Sequence, residues 1–369
     1  MKRFPLTAVF LVGLSFHLCG RADNTSDMPI GLVLSGGGAL GAYEVGVWET
    51  IVEMDLANRI SVISGTSVGA INAALFASVQ DPQACCSVWE SEIGDAFQVN
   101  TNFIARLGSK EAAMVDCAYE KMEKNIHEDI ELEARKQGIA PEEISPEKAR
   151  DIRKKCERVA HTKLALKMPK LKAFLQMAAD MSSDGKAEGP LSSDALQTMI
   201  LRAMPETWPD KNPAVYATTI RKTMDNNKPK FEQAYFCLND ESHERKTDIL
   251  CTSACIPFVF GAWDFDEAIY VDGGWEAKGG DNVPLKPILE KHPEIKTVIV
   301  VYLDDAERRH EKNEKSAASA GIDLVPIFPS KSLGGWGGVF NTSPETVRQR
   351  IDLGRKDARK ALDSLVGHP

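Results

Sequence analysis

Three short glycine motifs carry the residues in this sequence best suited to covalent chemistry. Gly65-Thr66-Ser67-Val68-Gly69 has the G-x-S-x-G pattern that sets a serine at a sharp strand-to-helix turn, where flanking glycines relieve crowding and leave the hydroxyl exposed. Gly36-Gly37-Gly38-Ala39-Leu40-Gly41 satisfies G-x-G-x-x-G, a loop whose backbone N–H groups hold anions at a helix N-terminus. Read alone, that loop is the context of a dinucleotide site, which also needs an acidic residue at the end of the second strand. Ser64-Gly65-Thr66-Ser67 holds that place, with no Asp or Glu. The loop's donors are then free to serve a transient oxyanion. The third motif, Asp272-Gly273-Gly274, follows the apolar run Ile269-Tyr270-Val271. An aspartate at a strand end lies on the carboxyl edge of a parallel sheet, the edge that also carries Ser67. Partial burial raises its pKa towards neutrality and lets it take a serine proton directly. A Ser-His-Asp arrangement would instead draw on His292, His310 or His368, all of them in charged or terminal stretches.

Hydrophobic periodicity supplies the elements that must position these motifs. Apolar runs from Ile30 to Leu34 and from Ile60 to Ile63 are each followed by a glycine turn and an apolar helix. In the first helix Val45, Trp48, Ile51, Val52 and Leu56 share a face. Strand, turn and helix repeated in this way open a parallel α/β sheet. Residues from about 109 to 190 are charged and amphipathic and read as a helical insertion beside that fold. The α/β pattern resumes at residues 214–219, with a helix-like stretch from Asp248 to Ala254. The continuous apolar run from Thr297 to Leu303 suits a strand covered on both faces. Gly334-Gly335-Trp336-Gly337-Gly338 reads as a mobile loop or a tight turn, and a C-terminal helix is expected over residues 345–365.

The 369 residues are 43% hydrophobic and 26% charged, which excludes a disordered chain. A net charge of −9 without a Lys/Arg-rich block argues against a nucleic-acid partner. Residues 1–22 have the pattern of a secretory signal peptide: Lys2 and Arg3, an apolar run from Leu6 to Leu18, then the small-x-small site Gly20-Arg21-Ala22. That run is shorter than the about 20 residues needed to span a bilayer. Export would place the protein in a periplasm or outside the cell, leaving residues 23–369 as one catalytic domain. Cys85, Cys86, Cys117, Cys156, Cys237, Cys251 and Cys255 follow the segment and lack metal-ligand spacing, so buried thiols are expected and no metal or cofactor.

Taken together, the three motifs resemble those of the patatin-like phospholipase family. The likeness extends to Cys251-Thr252-Ser253-Ala254-Cys255-Ile256-Pro257 with Phe260, and to Asn282-Val283-Pro284. It implies a three-layer α/β/α sandwich with a mainly parallel central sheet. It also implies a Ser67–Asp272 dyad without histidine, an oxyanion hole at Gly36, Gly37 and Gly38, and calcium-independent release of fatty acid from lipid or phospholipid esters. Gly41, Gly65, Gly69, Gly273 and Gly274 would support the motifs. Many members carry Arg or Lys at the position of Leu40, so a less positive surrounding is expected for the loop. Membrane contact would be peripheral. A late-histidine esterase and a non-catalytic lipid-binding protein of the same fold are the alternatives; the oligomeric state stays open.

Overall fold

The computed structural model describes residues 28–97, 127–144, 191–225, 228–256, 259–260, 263–304 and 307–365, with Lys124, Lys148 and Ile152 as isolated positions. The expected signal peptide, most of the expected insertion, Cys117, Cys156 and His368 lie outside the described residues. Within the insertion, residues 127–137 are helical and carry surface ion pairs such as Arg135–Glu131.

Strand β1 (Ile30–Leu34) is buried along its whole length, as a central parallel strand requires. It pairs in parallel with β2 (Ile60–Thr66) on one side and with β7 (Thr297–Val301) on the other. β8 (Asp323–Ile327) continues the parallel set beyond β7. β3 (Ala214–Asp225) continues it beyond β2. Alternate residues serve opposite faces, because successive side chains of a strand point to opposite sides. Leu32, Leu34 and Ile63 join one core with helices α1 (Ala42–Glu53), α2 (Val68–Val79) and α3 (Pro82–Ser91). Val33, Val62 and Val300 join a second core with Ile288 and Ala317 of the helices on the other face. The result is the sandwich of sheet between helices that the sequence implied.

β3 is twice the expected length, and that extra length places the site. Its first half, Val215 to Thr218, pairs in parallel with Ile63 to Thr66 of β2. Its second half, Thr219 to Lys222, pairs antiparallel with β6 (Ala268–Asp272), beginning with Thr219 opposite Asp272. β4 (Lys228–Cys237) pairs with β3 from Tyr216 to Asp225 and so occupies its other edge throughout. β2 and β6 therefore share one edge of β3 and run end to end. Thr66 faces Thr218 and Asp272 faces Thr219, so the C-terminal ends of the two strands meet head-on.

Helix α4 (Ser193–Ala203) packs beside the 3-10 turn Ile93–Phe97, and α5 (His243–Ala254) beside β6. α6 (Lys286–Lys291) and α7 (Glu307–Ser319) belong to the second face. A short helix α8 (Gly335–Gly338) precedes the long α9 (Pro344–Leu362). α9 crosses α1 closely: a Cβ on Gly46 would lie 1.9 Å from Ile351 O, and one on Gly354 would lie 2.0 Å from Tyr43 O. Cys85, Cys86, Cys251 and Cys255 are buried free thiols, and Cys237 is free and half-buried.

Candidate active site

Ser67 occupies the single residue between β2 and α2, at φ 55° and ψ −125°. A non-glycine residue in that region carries strain of roughly 1–3 kcal/mol, held only where the surroundings fix it. Here the surroundings are glycines whose missing side chains are demanded by contact. A Cβ on Gly65 would lie 2.2 Å from Gly69 O, and one on Gly69 would lie 2.5 Å from Leu34 O. The Ser67 N–H donates to Ser253 Oγ at 2.9 Å, and that hydroxyl donates to Thr218 O at 2.6 Å. α2 begins immediately after Ser67, so the positive end of its dipole faces any negative charge on the serine oxygen.

Asp272 closes β6 and is 5% exposed. Its N–H donates to Cys255 O at 3.0 Å, and its Oδ1 accepts the Gly274 N–H at 2.7 Å. Oδ2 is buried and has no partner at hydrogen-bonding distance among the described residues. The Ser67 hydroxyl is near enough to favour the ionised carboxyl, so the two groups are juxtaposed without a tight bond between them. Burial is the larger influence and raises the Asp272 pKa to about 6, partly offset by Ser67 and the Gly274 N–H. A carboxylate so tuned is ionised at neutral pH and still basic enough to accept a proton.

The glycine loop is fastened to the Asp272 motif through Asn282. Gly36 N–H donates to Asn282 O at 3.1 Å, and Asn282 Nδ2 donates to Gly36 O at 3.1 Å. Asp281 N–H in turn reaches Gly273 O at 2.8 Å, and Thr66 Oγ1 reaches Asp281 O at 2.7 Å. The Gly36 donor is thus engaged, unlike the expectation that it would face an oxyanion. Ala39 N–H is held by Val339 O at 2.8 Å and Leu40 N–H by Gly37 O at 3.2 Å. Among the described residues no partner holds the N–H groups of Gly37 and Gly38. Gly38 has φ 54°, and a Cβ there would lie 2.7 Å from Val339 O.

Gly38 and Ser67 open onto one apolar cavity, walled among others by Ile71, Ile93, Leu196, Met199 and Phe260. His292 and His310 have other partners. His292 bonds Glu294 and Tyr216, while His310 bonds Tyr302 and packs edge-on against Phe328. The expected loop at Gly334–Gly338 includes α8, bonded to Arg350 of α9.

Sequence reasoning assigned no role to Ser253, Asn282 or Arg350. Ser253 and Asn282 stood in stretches that contributed to the resemblance, but what they touch depends on the register of β3. Arg350 carried a signal of its own: it lies in the stripe Val347, Arg350, Ile351, Gly354, Ala358 and Leu362 that α9 buries. Arginine is almost never fully buried unless paired. Its guanidinium bonds Ala39 O at 2.8 Å and so places one buried positive charge beside the loop.

A family model for patatin-like phospholipases matches residues 32–289. Over 68 residues the chain is 44% identical to lysophospholipase nte1 of Aspergillus terreus, covering 18% of this chain and 4% of that protein. Over 106 residues it is 28% identical to lysophospholipase NTE1 of Phaeosphaeria nodorum, covering 29% of this chain and 6% of that protein. The chain thus matches only a small part of these curated relatives. Among solved structures, VipD from Legionella pneumophila is similar at 14% identity and a TM-score of 0.36, over 92% of this chain and 67% of that one. Full-length ExoU of Pseudomonas aeruginosa, in complex with SpcU, is similar at 16% identity and a TM-score of 0.36, over 92% and 53% of the respective chains.

Proposed function

The chain belongs to the patatin-like phospholipase family, and from that premise we propose that it is a lipid acyl hydrolase working through Ser67 and Asp272. The observation that carries this reading is the juxtaposition of Ser67 with the unpartnered Oδ2 of Asp272 where β2 and β6 meet. Asp272 takes the Ser67 proton as the serine oxygen attacks the ester carbonyl. Negative charge moves to the carbonyl oxygen, where the Gly37 and Gly38 N–H groups and the α2 dipole receive it. Collapse expels the alcohol, which regains the proton from Asp272 and leaves an acyl-enzyme. Water, deprotonated by the same carboxylate, then releases the fatty acid and restores Ser67. The apolar cavity beside Ser67 accepts the acyl chain, since its wall is built almost wholly from aliphatic and aromatic side chains.

The test is fatty-acid release from mixed phospholipid vesicles in EDTA, comparing the protein with Ser67→Ala. Release that disappears in the variant supports the reading. Release that persists in Ser67→Ala, or that stops in EDTA and returns with calcium, overturns it. Contact with the lipid surface is peripheral and reversible in this reading. Residues 1–22 act as a cleaved export signal, so the exported protein begins after Ala22, which N-terminal sequencing checks. A mature chain that retains Met1 removes that part of the proposal.

A further inference from the structure

Arg350 is 4% exposed, yet no carboxylate among the described residues pairs with it. Burying a cation is costly unless hydrogen bonds replace its hydration. Four backbone carbonyls do so. Nη1 donates to Ala39 O at 2.8 Å and Asn341 O at 2.9 Å, and Nη2 donates to Leu333 O at 2.8 Å and Gly338 O at 3.0 Å. Nε is left buried without a partner among the described residues. A side chain retained on such terms does something that an apolar residue in the α9 stripe would not.

We propose that Arg350 is the positioning residue of the oxyanion loop, fixing the Gly37 and Gly38 N–H groups by holding the peptide units that follow them. This rests on the reading of that loop as the oxyanion site. Gly38 is in the left-handed region, and glycine rotates between such conformations with little steric resistance. A loop of three glycines would therefore turn its N–H groups away from the cavity unless something prevented it. Ala39 is the first residue after the glycines with a side chain, and both of its backbone groups are engaged. Its carbonyl is held by Arg350 and its N–H by Val339 O. Val339 lies between the other three carbonyls that Arg350 binds, so one guanidinium secures both the loop and the segment that braces it. Its planar fork allows two nitrogens to serve two carbonyls each; a lysine ammonium, a single point with three donors, cannot reproduce that. The positive charge also lies directly behind the loop that receives the oxyanion. Burial without a counter-charge lowers the guanidinium pKa to about 10, which leaves it charged at neutral pH.

The experiment compares wild type, Arg350→Lys and Arg350→Met, with Arg355→Met, on the same helix as Arg350, as a control that loses an ion pair to Glu49 of α1. Two measurements are made on each: steady-state hydrolysis normalised to active sites, and amide hydrogen exchange in the peptide spanning residues 36–42. Arg350→Lys is expected to lower kcat about 10-fold and Arg350→Met about 10²-fold, the scale of one lost oxyanion donor. KM and the acid limb of the pH profile should stay in place, because Arg350 does not contribute to the Asp272 pKa. Exchange at 36–42 should rise in both variants and not in Arg355→Met. Arg350→Lys keeps the charge and so carries the test if Arg350→Met does not fold. Wild-type kcat and wild-type exchange in Arg350→Lys would overturn the proposal, as would an equal loss of kcat in Arg355→Met. If the wild-type protein released no fatty acid while Arg350→Lys still loosened residues 36–42, the hydrolase reading would fail and the positioning role would stand.

Discussion

Two carboxylic acids are buried near α2, one by Asn72 and one by Ser67, and only the second faces the serine. Asp272 lies at the front, where β6 meets β2. Glu44 lies on α1, fully buried. Its Oε2 accepts from Asn72 Nδ2 at 2.8 Å and its Oε1 has no partner among the described residues, with the Ser35 N–H near enough to favour the ionised form. Asn72 also donates to Gly41 O at 3.0 Å and accepts from Trp89 Nε1 at 2.8 Å, so the rear cluster braces the glycine loop against α2 and α3. Burial raises both acids. Asp272 is raised to about 6 and Glu44 well above its ordinary 4.5, yet only Asp272 lies beside Ser67. Burial alone therefore does not make a base. The acid must also ionise near the working pH and present a free oxygen to the group it deprotonates.

The largest effects test the front region. Ser67→Ala should lower kcat by at least about 10³-fold with the fold intact, since loss of a nucleophile that acts as one unit with its base removes most of the catalysis. Asp272→Asn should cost a comparable factor while raising stability, and the two signs together separate a functional carboxylate from a structural one. A carboxyl raised from 3.8 to about 6 contributes stability that is full below pH 3.8 and lost as pH rises through 6. The loss is on the order of 3 kcal/mol at 1.36 kcal/mol per pKa unit. Asn keeps an oxygen for the Gly274 N–H and avoids that loss, so chemical denaturation at pH 7 should show a more stable variant. The same tuning predicts that wild-type kcat/KM rises with pH through about 6. A profile flat from pH 4 to 8 would remove Asp272 as the base.

An intermediate effect belongs to the rear region. Trp89→Phe leaves the buried Asn72 Oδ1 without its donor and should cost about 2 kcal/mol of stability. Its kcat should stay within a few-fold of wild type. A kcat loss as large as that of Arg350→Met would mean that the rear cluster sets the oxyanion loop as strongly as α9 does.

The two regions were unequally legible from sequence. The front was readable because its glycines are imposed by backbone contacts of 2.2–2.5 Å, and a residue type dictated by contact leaves a motif. Ser67 and Asp272 stood out for that reason. Their meeting was expected on one carboxyl edge of a parallel sheet, but the route was not readable. β6 runs antiparallel and meets β2 head-on, because β3 runs on to Asp225 and pairs with both along one edge. β4 was passed over as well: Lys228-Pro229-Lys230-Phe231-Glu232-Gln233 is too polar to read as a strand, and β4 pairs only with β3 among the described residues. Pro229 is compatible with such an edge position. Arg350 was lost for a different reason. Its partners are four carbonyls, and a carbonyl looks the same in every residue.

Glu44→Gln should have the smallest effect on catalysis and the most informative effect on stability. Because Glu44 bonds Asn72 and is not among the groups that tune Asp272, kcat and the acid limb near pH 6 should not move. Its raised pKa means that the stability it contributes is full below 4.5 and declines as pH climbs from there until the folded-state pKa is passed. In the variant that decline is absent, so the stability-versus-pH curve should flatten above about pH 4.5. Asp272→Asn flattens the same curve only between about pH 4 and 6. Urea midpoints for both variants at pH 4, 6 and 8 distinguish the two windows. If Glu44→Gln moved the acid limb of kcat/KM, the rear acid would be coupled to the front one, and the division of labour between the two regions would fail.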